Sequence, residues 1–264
     1  MYKMKEIGAA IEQLAPRNLA MDDDNIGLIV GRLNAEITKV LLALDATDEV
    51  IDEAINLGCQ AIITHHPPIW KPIKRIADDC AIERRLLALI ENGIAVYSAH
   101  TNLDFCEGGI NDLLFDKLGL TDKELIFEEK PGVFAGRAGL MLEPMPLAEF
   151  VYFIEGQLNL DICKYVGDPA AQVRKVGVMA GATARPHFFE AMAAAGCDTY
   201  VTSDIVYTNA LKAKDLGLNL VDATHYASEV IFTEILAEYL AERLPKLEVL
   251  VSKIDGQVFK TGGI

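Results

Sequence analysis

"KVLLALDATDEVIDEAINLGCQAIITHHPPIW", residues 39 to 70, carries the reading of the fold. Two short apolar runs, 39–45 and 61–66, flank a segment with helical spacing. In that segment Thr47 stands at the N-cap position, Asp48 and Glu49 fill the first turn, and Val50, Ile51, Ala54 and Ile55 share a face that ends at Gly58. The flanking runs are continuously apolar rather than alternating, which marks strands buried on both faces. Strand, helix and strand therefore predict a βαβ unit. A further helix around 81–92 and the run "IAVYSAH", ending at His100, continue the cycle.

A second half repeats the pattern. "EAINLGCQAIITHH" (53–66) matches "EAMAAAGCDTYVTSD" (190–204), and the step from Gly58 to Thr64 equals that from Gly196 to Thr202. The expected fold is α/β: two related lobes, 1–127 and 128–264, each a mixed sheet flanked by helices. "EEKPGVFAGRAG" (128–139) is the expected junction. Four of the five histidines lie just past β runs, and in open α/β sheets ligands gather at the carboxyl ends of strands.

Composition narrows the function. The chain is 264 residues long, 51% apolar, with a formal charge of −15, and no basic stretch runs longer than Arg84-Arg85. Nucleic acid is not the expected partner, because phosphate-backbone binding needs clustered Lys and Arg. The five cysteines form no C-x-x-C pair, as expected of a reduced cytoplasmic protein rather than a secreted disulfide framework. "MYKMKEIGAAIEQLAP" reads as an amphipathic helix through Met4, Ile7, Ile11 and Leu14, and no run reaches the roughly 18 apolar residues of a membrane span.

The chemistry collects past the strand ends: His65 and His66, His100 with Asp104, and His225 with Glu229. The last two pairs share the spacing i, i+4, which on a helical turn puts both groups on one face. Imidazole and carboxylate together suit zinc, iron, manganese, cobalt or nickel. Adjacent side chains on an extended segment diverge, so His65 and His66 are expected to serve two different ions about 3.5–4 Å apart, a carboxylate bridging them. The alternative is a buried histidine pair held by hydrogen bonds, with His100 and His225 as caps. His187, before an apolar helix, reads as a helix N-terminal residue. No P-loop, H-E-x-x-H or G-x-S-x-G motif is present.

Several motifs in order, "DNIGLIVG" (24–31), "ALDATDEVIDEAINLGCQAIITHHPPIWKP" (43–72), "SAHTNLDFCEGGIND" (98–112), "GRAG" (136–139), "KYVGD" (164–168) and "DATHYASE" (222–229), resemble the Nif-three-like dinuclear metal-centre family. Its bacterial members are commonly labelled type-2 GTP cyclohydrolase I homologues. The length is similar to the family's short form, which lacks an inserted middle domain. The resemblance implies two α/β lobes with the metal site between them, and a homohexamer built as a ring of dimers or trimers. It also implies two divalent transition-metal ions per subunit. Carried onto this chain, the metal ligands are His65, His66, Asp104, His225 and Glu229, with Glu229 bridging. His100 stands beside them as the catalytic acid or base. The implied activity is hydrolytic opening of the guanine imidazole ring of GTP, with Arg137 and Arg185 as candidate triphosphate contacts. The competing reading is a metal-binding regulatory or scaffold protein without turnover. Three positions depart from the family's pattern: Gly181-Ala182-Thr183 replaces a glycine-serine-glycine turn, Thr202-Ser203-Asp204 a threonine-glycine-acidic motif, and Asp23 a tryptophan.

Overall fold

The computed structural model describes residues 1–261, so positions 262–264 of the expected second lobe lie outside the described residues. The chain divides into two compact units. The first comprises Met1–Gly109 and Phe232–Gly256; the second comprises Ile110–Ile231 and the chain from Gln257. The division differs from the expected 1–127/128–264 split, for reasons of strand pairing given below.

The first unit begins with β1 (Tyr2–Lys3), α1 (Met4–Leu14), β2 (Gly27–Val30), β3 (Glu36–Ile37) and β4 (Lys39–Ala43). It continues with α2 (Asp48–Asn56), β5 (Ala61–Thr64), α3 (Ala81–Glu91), β6 (Ala95–Ser98) and the one-turn α4 (Thr101–Phe105). The expected βαβ unit is there: β4, β5 and β6 run parallel, with Val40 beside Ala61 and Ala61 beside Ala95. Every residue of β5 and β6 is buried, as continuous apolar runs require. Thr47 caps α2, its Oγ1 accepting from Val50 N at 3.3 Å. Val50, Ile51 and Ala54 from α2, with Leu86 and Leu89 from α3, pack on Leu41, Ile62 and Val96 of the sheet. At Gly8, α1 crosses β6 so closely that a Cβ would stand 2.8 Å from the Tyr97 ring.

The second unit holds α5 (Ile110–Lys117), β7 (Leu120–Lys130), β8 (Val133–Pro146), α6 (Leu147–Gln157), β9 (Lys164–Val166) and β10 (Gln172–Val178). Then follow α7 (Pro186–Ala194), β11 (Thr199–Thr202), α8 (Tyr207–Asp215), β12 (Asn219–Asp222) and the one-turn α9 (His225–Glu229). Its sheet has the order β7-β8-β10-β11-β12-β9, with β10, β11 and β12 parallel. The stretch 128–139, expected as a junction, lies instead within the β7–β8 hairpin, whose turn passes through Gly132 at φ +76°. The apolar tract 150–154 belongs to α6, where Phe150, Val151 and Ile154 are buried and Tyr152 faces out.

From Phe232 the chain returns to the first unit as α10 (Phe232–Arg243) and β13 (Glu248–Val251). β13 pairs in parallel with β4, Glu248 beside Lys39, and completes the order β13-β4-β5-β6-β2. This long-range pairing makes the first unit discontinuous, while the pairing of β7 with β8 draws residues before 127 into the second unit, whose first residue is Ile110. The two halves nonetheless repeat. Gly58 and Gly196 take φ of +66° and +79° after α2 and α7, and Thr64 and Thr202 end β5 and β11. Each parallel core then leads into a one-turn helix that carries site residues.

Candidate functional site

In the first unit His65 and His66 follow the end of β5, and His100 follows β6 as the residue before α4. His65 is fully buried and its Nδ1 lies 2.8 Å from the Ala99 carbonyl. A carbonyl only accepts, so Nδ1 carries the proton and Nε2 presents a lone pair. The same logic holds for His66, whose Nδ1 is 2.9 Å from Asp45 Oδ1, and for His100, whose Nδ1 is 2.8 Å from Asp24 Oδ1. One ring nitrogen from each of His65, His66 and His100 lies within 4.8 Å of the others. Asp104, on α4, places Oδ1 3.6 Å from His65 Nε2.

The two adjacent rings do not splay to opposite sides, as an extended segment would have required. β5 ends at Thr64 and the backbone bends at residues 65 and 66, bringing the ring centroids to 5.2 Å. Asp24 is held tightly for its part. It accepts from His100 Nδ1, from Thr101 N at 3.1 Å and from Thr101 Oγ1 at 2.5 Å. Burial pushes its carboxyl up, but the hydrogen bond and attraction from His100 and the Thr101 bonds outweigh it and hold the carboxyl below its ordinary value.

In the second unit α9 delivers the expected i, i+4 pair: His225 Nε2 lies 3.0 Å from Glu229 Oε2. His225 Nδ1 meets Asp204 Oδ2 at 2.8 Å, again leaving Nε2 as the acceptor. The turn before α9 is set by Thr224, which caps the helix through Ala227 N at a φ of +57°. Glu229 is 4% exposed and rests against Gly181, where an added Cβ would stand 2.0 Å from Glu229 Oε1. Gly181 takes φ +70°, its N–H donates to Ser228 Oγ, and Ser203 Oγ donates to its carbonyl. Gly181 and Asp204, which keep the family's glycine and acidic residue, thus support Glu229 and His225, and Ser203, a departure from the pattern, ties down the Gly181 carbonyl.

The donor chemistry fits a divalent transition metal. Nitrogen and oxygen donors converge within each unit. In each, a histidine Nε2 faces a carboxylate oxygen, two acceptors that a cation between them satisfies. The carboxylates behind the rings went unidentified in the sequence: Asp24, Asp45 and Asp204 lie 76, 21 and 21 positions from the histidines they hold. Such partners fix a ligating histidine's tautomer and orientation. Asp24 sits inside "DNIGL", a motif that carried the family resemblance but no residue-level role.

Two other expectations resolve clearly. Arg137 is 2% exposed, pairs with Asp112 and also donates to the carbonyls of Phe134 and Gly136, so it is a core residue and not a triphosphate contact. Arg185 precedes α7 as its N-cap residue. His187 lies in the first turn of α7, as read, with its ring against Phe127 and Phe188.

A family model described as Duf34/NIF3 (NGG1p interacting factor 3) matches residues 2–257. A Clostridium perfringens protein named GTP cyclohydrolase 1 type 2 homolog is 36% identical over 257 residues, covering 95% of this chain and 96% of that one. Among solved structures, a Bacillus cereus protein related to NIF3 superposes with a TM-score of 0.92 at 26% identity, over 99% of both chains. Reduced HcgD from Methanocaldococcus jannaschii superposes with a TM-score of 0.83 at 33% identity, over 96% of this chain and 98% of its own.

Proposed function

The chain belongs to the Duf34/NIF3 family, and on that premise we propose that it is a metal-dependent hydrolase that opens the guanine imidazole ring of GTP. The observation that carries the reading is the shared tethering of four histidines. His65, His66, His100 and His225 each have Nδ1 held by an oxygen acceptor, so each keeps the Nε2 lone pair available, to a metal or to a proton. The proposed metal ligands are His65, His66, Asp104, His225 and Glu229, for two divalent ions per chain. Two such cations, when bound, lower the pKa of water and stabilise negative charge developing on a substrate oxygen.

The chain's own groups supply the rest. His100 is the proposed general acid or base: its Nε2 can take a proton while Asp24, buried and anionic, holds Nδ1–H and stabilises the imidazolium. Asp24, Asp45 and Asp204 are positioning residues, since each acts through the histidine it holds. The proposed assembly is a homohexamer, checked by light scattering. The proposed compartment is the cytoplasm, in keeping with five free cysteines, four of them buried. No helix among the described residues is long and apolar enough to cross a membrane.

The second reading, a metal-binding regulatory or scaffold protein, is favoured if the same tethered donors bind metal without turnover. The test is metal analysis of purified protein and of the His65→Ala/His66→Ala variant, with folding checked by circular dichroism. A nucleotide panel including GTP is then assayed with and without chelator. The hydrolase reading expects close to two metals per chain, most of them lost in the variant, and chelator-sensitive formate or ring-opened product. Full metal loading without attack on any nucleotide hands the protein to the second reading.

A further inference from the structure

The segment 67–80, between the histidine pair and α3, lacks regular structure and carries the chain's single tryptophan. Two of its three isoleucines, Ile69 and Ile73, pack against the core of the first unit, while Ile76 is 47% exposed. The Ile69 carbonyl is tied down by Asn25 Nδ2 at 2.6 Å, so the backbone immediately before Trp70 is anchored. Trp70 does the opposite and remains 56% exposed. Its ring stands at 90° to that of His100, with centroids 5.4 Å apart. A large aromatic side chain is thus fixed beside the histidine cluster with much of its surface open to solvent. Three basic residues follow it. Arg75 is bound to Asp79 at 2.6 Å, whereas Lys71 and Lys74 are exposed and in no ion pair among the described residues.

We propose that Trp70 is a stacking platform for the planar base of the substrate, and that Lys71 and Lys74 receive its anionic phosphate tail. The inference rests on the reading of His65, His66 and His100 as part of the reaction centre, and it assigns the recognition of a phosphorylated purine to this loop. An indole face accepts any flat heteroaromatic ring, and a perpendicular His100 edges the same position. A base stacked there is therefore presented to the acid–base group. The lysines, as compact point charges, suit a flexible polyphosphate. With Arg75 on one side and Asp78 and Asp79 on the other counted in, the loop is net +1 in a chain of net charge −15, its two unpaired lysines lying on the tryptophan side.

The same tryptophan is its own reporter. Metal-loaded protein, excited at a wavelength where guanine does not absorb, is titrated with GTP, guanosine and inorganic tripolyphosphate, and GTP affinity is measured in parallel by equilibrium dialysis. GTP and guanosine should quench the fluorescence saturably, and tripolyphosphate should compete with GTP without quenching. Trp70→Ala should weaken GTP binding by about tenfold or more, the loss typical of one stacked base, while Trp70→Phe should keep most of the affinity. Lys71→Ala/Lys74→Ala should weaken GTP and leave guanosine unchanged. An unchanged dialysis affinity in Trp70→Ala, or no saturable quenching by GTP or guanosine, overturns the proposal. Turnover separates it from the hydrolase reading. Quenching without ring opening leaves the platform standing and refutes the hydrolase. Ring opening with the same KM in Trp70→Ala does the reverse.

Discussion

Gly181→Ala tests how firmly the second unit holds its carboxylate. Two effects superpose at this position. Gly181 takes φ +70°, where an L-residue is disfavoured by about 1–2 kcal/mol. The new Cβ would also stand 2.0 Å from Glu229 Oε1, so the carboxylate must retreat by about 1.4 Å to regain a 3.4 Å contact. Glu229 is buried and lies 3.0 Å from His225 Nε2, so that retreat breaks the pair. Gly217→Ala is the control. Gly217 has φ +71° and nothing within 4 Å of its added Cβ, so it reports the backbone effect alone. Urea unfolding should show both variants destabilised by about 1–2 kcal/mol, with Gly181→Ala the lower of the two. Metal affinity, followed by titration calorimetry, should be unchanged in Gly217→Ala. In Gly181→Ala it should fall about 10- to 100-fold, the range seen when the support of a metal ligand is disturbed. Equal stability and equal metal affinity in the two variants would show that Glu229 swings freely, and the reasoning would fail.

Arg137→Ala should destabilise the protein by about 3 kcal/mol, the low end for a broken buried pair, because the buried Asp112 carboxylate then keeps only the half-exposed Lys123 at 3.3 Å, and Asp112→Leu/Arg137→Met should recover much of the loss. A normally stable Arg137→Ala with a raised KM for nucleotide would restore the discarded triphosphate role. Thiol reactivity gives the remaining test. Burial raises the Cys163 thiol to about 12 and the Cys197 thiol to about 11, so at pH 8 neither holds an appreciable thiolate fraction. Iodoacetamide should label the exposed Cys80 first and the others only on unfolding, as read by peptide mass spectrometry. Fast native labelling of Cys163 contradicts its placement.

What could be read from sequence had a local signature. The β4–α2–β5 unit announced itself because strands covered on both faces leave no polar alternation and Thr47 caps the helix between them. The His225/Glu229 pair was visible because one helical turn enforces the contact. What escaped was nonlocal. β13 pairs with a strand some 200 residues earlier, and nothing in "EVLV" names β4 as its partner. "KPGV" carries a linker's residues but turns a hairpin, because the strands on either side of it pair. Asp24, Asp45 and Asp204 look like ordinary surface acids until the fold brings a histidine to each. Arg137 reads as a surface cation for the same reason, since Asp112 lies 25 positions away.

The pairing of β13 with β4 also sets a schedule for the growing polypeptide on the ribosome. β4, β5, β6 and β2 emerge early, yet the outer edge of β4 has no neighbour until Glu248–Val251 has been synthesised. At about 5–20 residues per second, a lag of roughly 200 residues leaves that edge bare for about 10–40 s. The exposed edge is Val40, Leu41 and Leu42, all apolar, of the kind that recruits other strands. Ile110–Ile231 is complete before α10 and β13 exist, so much of the second unit can mature while the first waits for its last strand. A nascent chain stalled before residue 248 should therefore be a substrate for chaperones that shield apolar edges, and one released there should aggregate through β4.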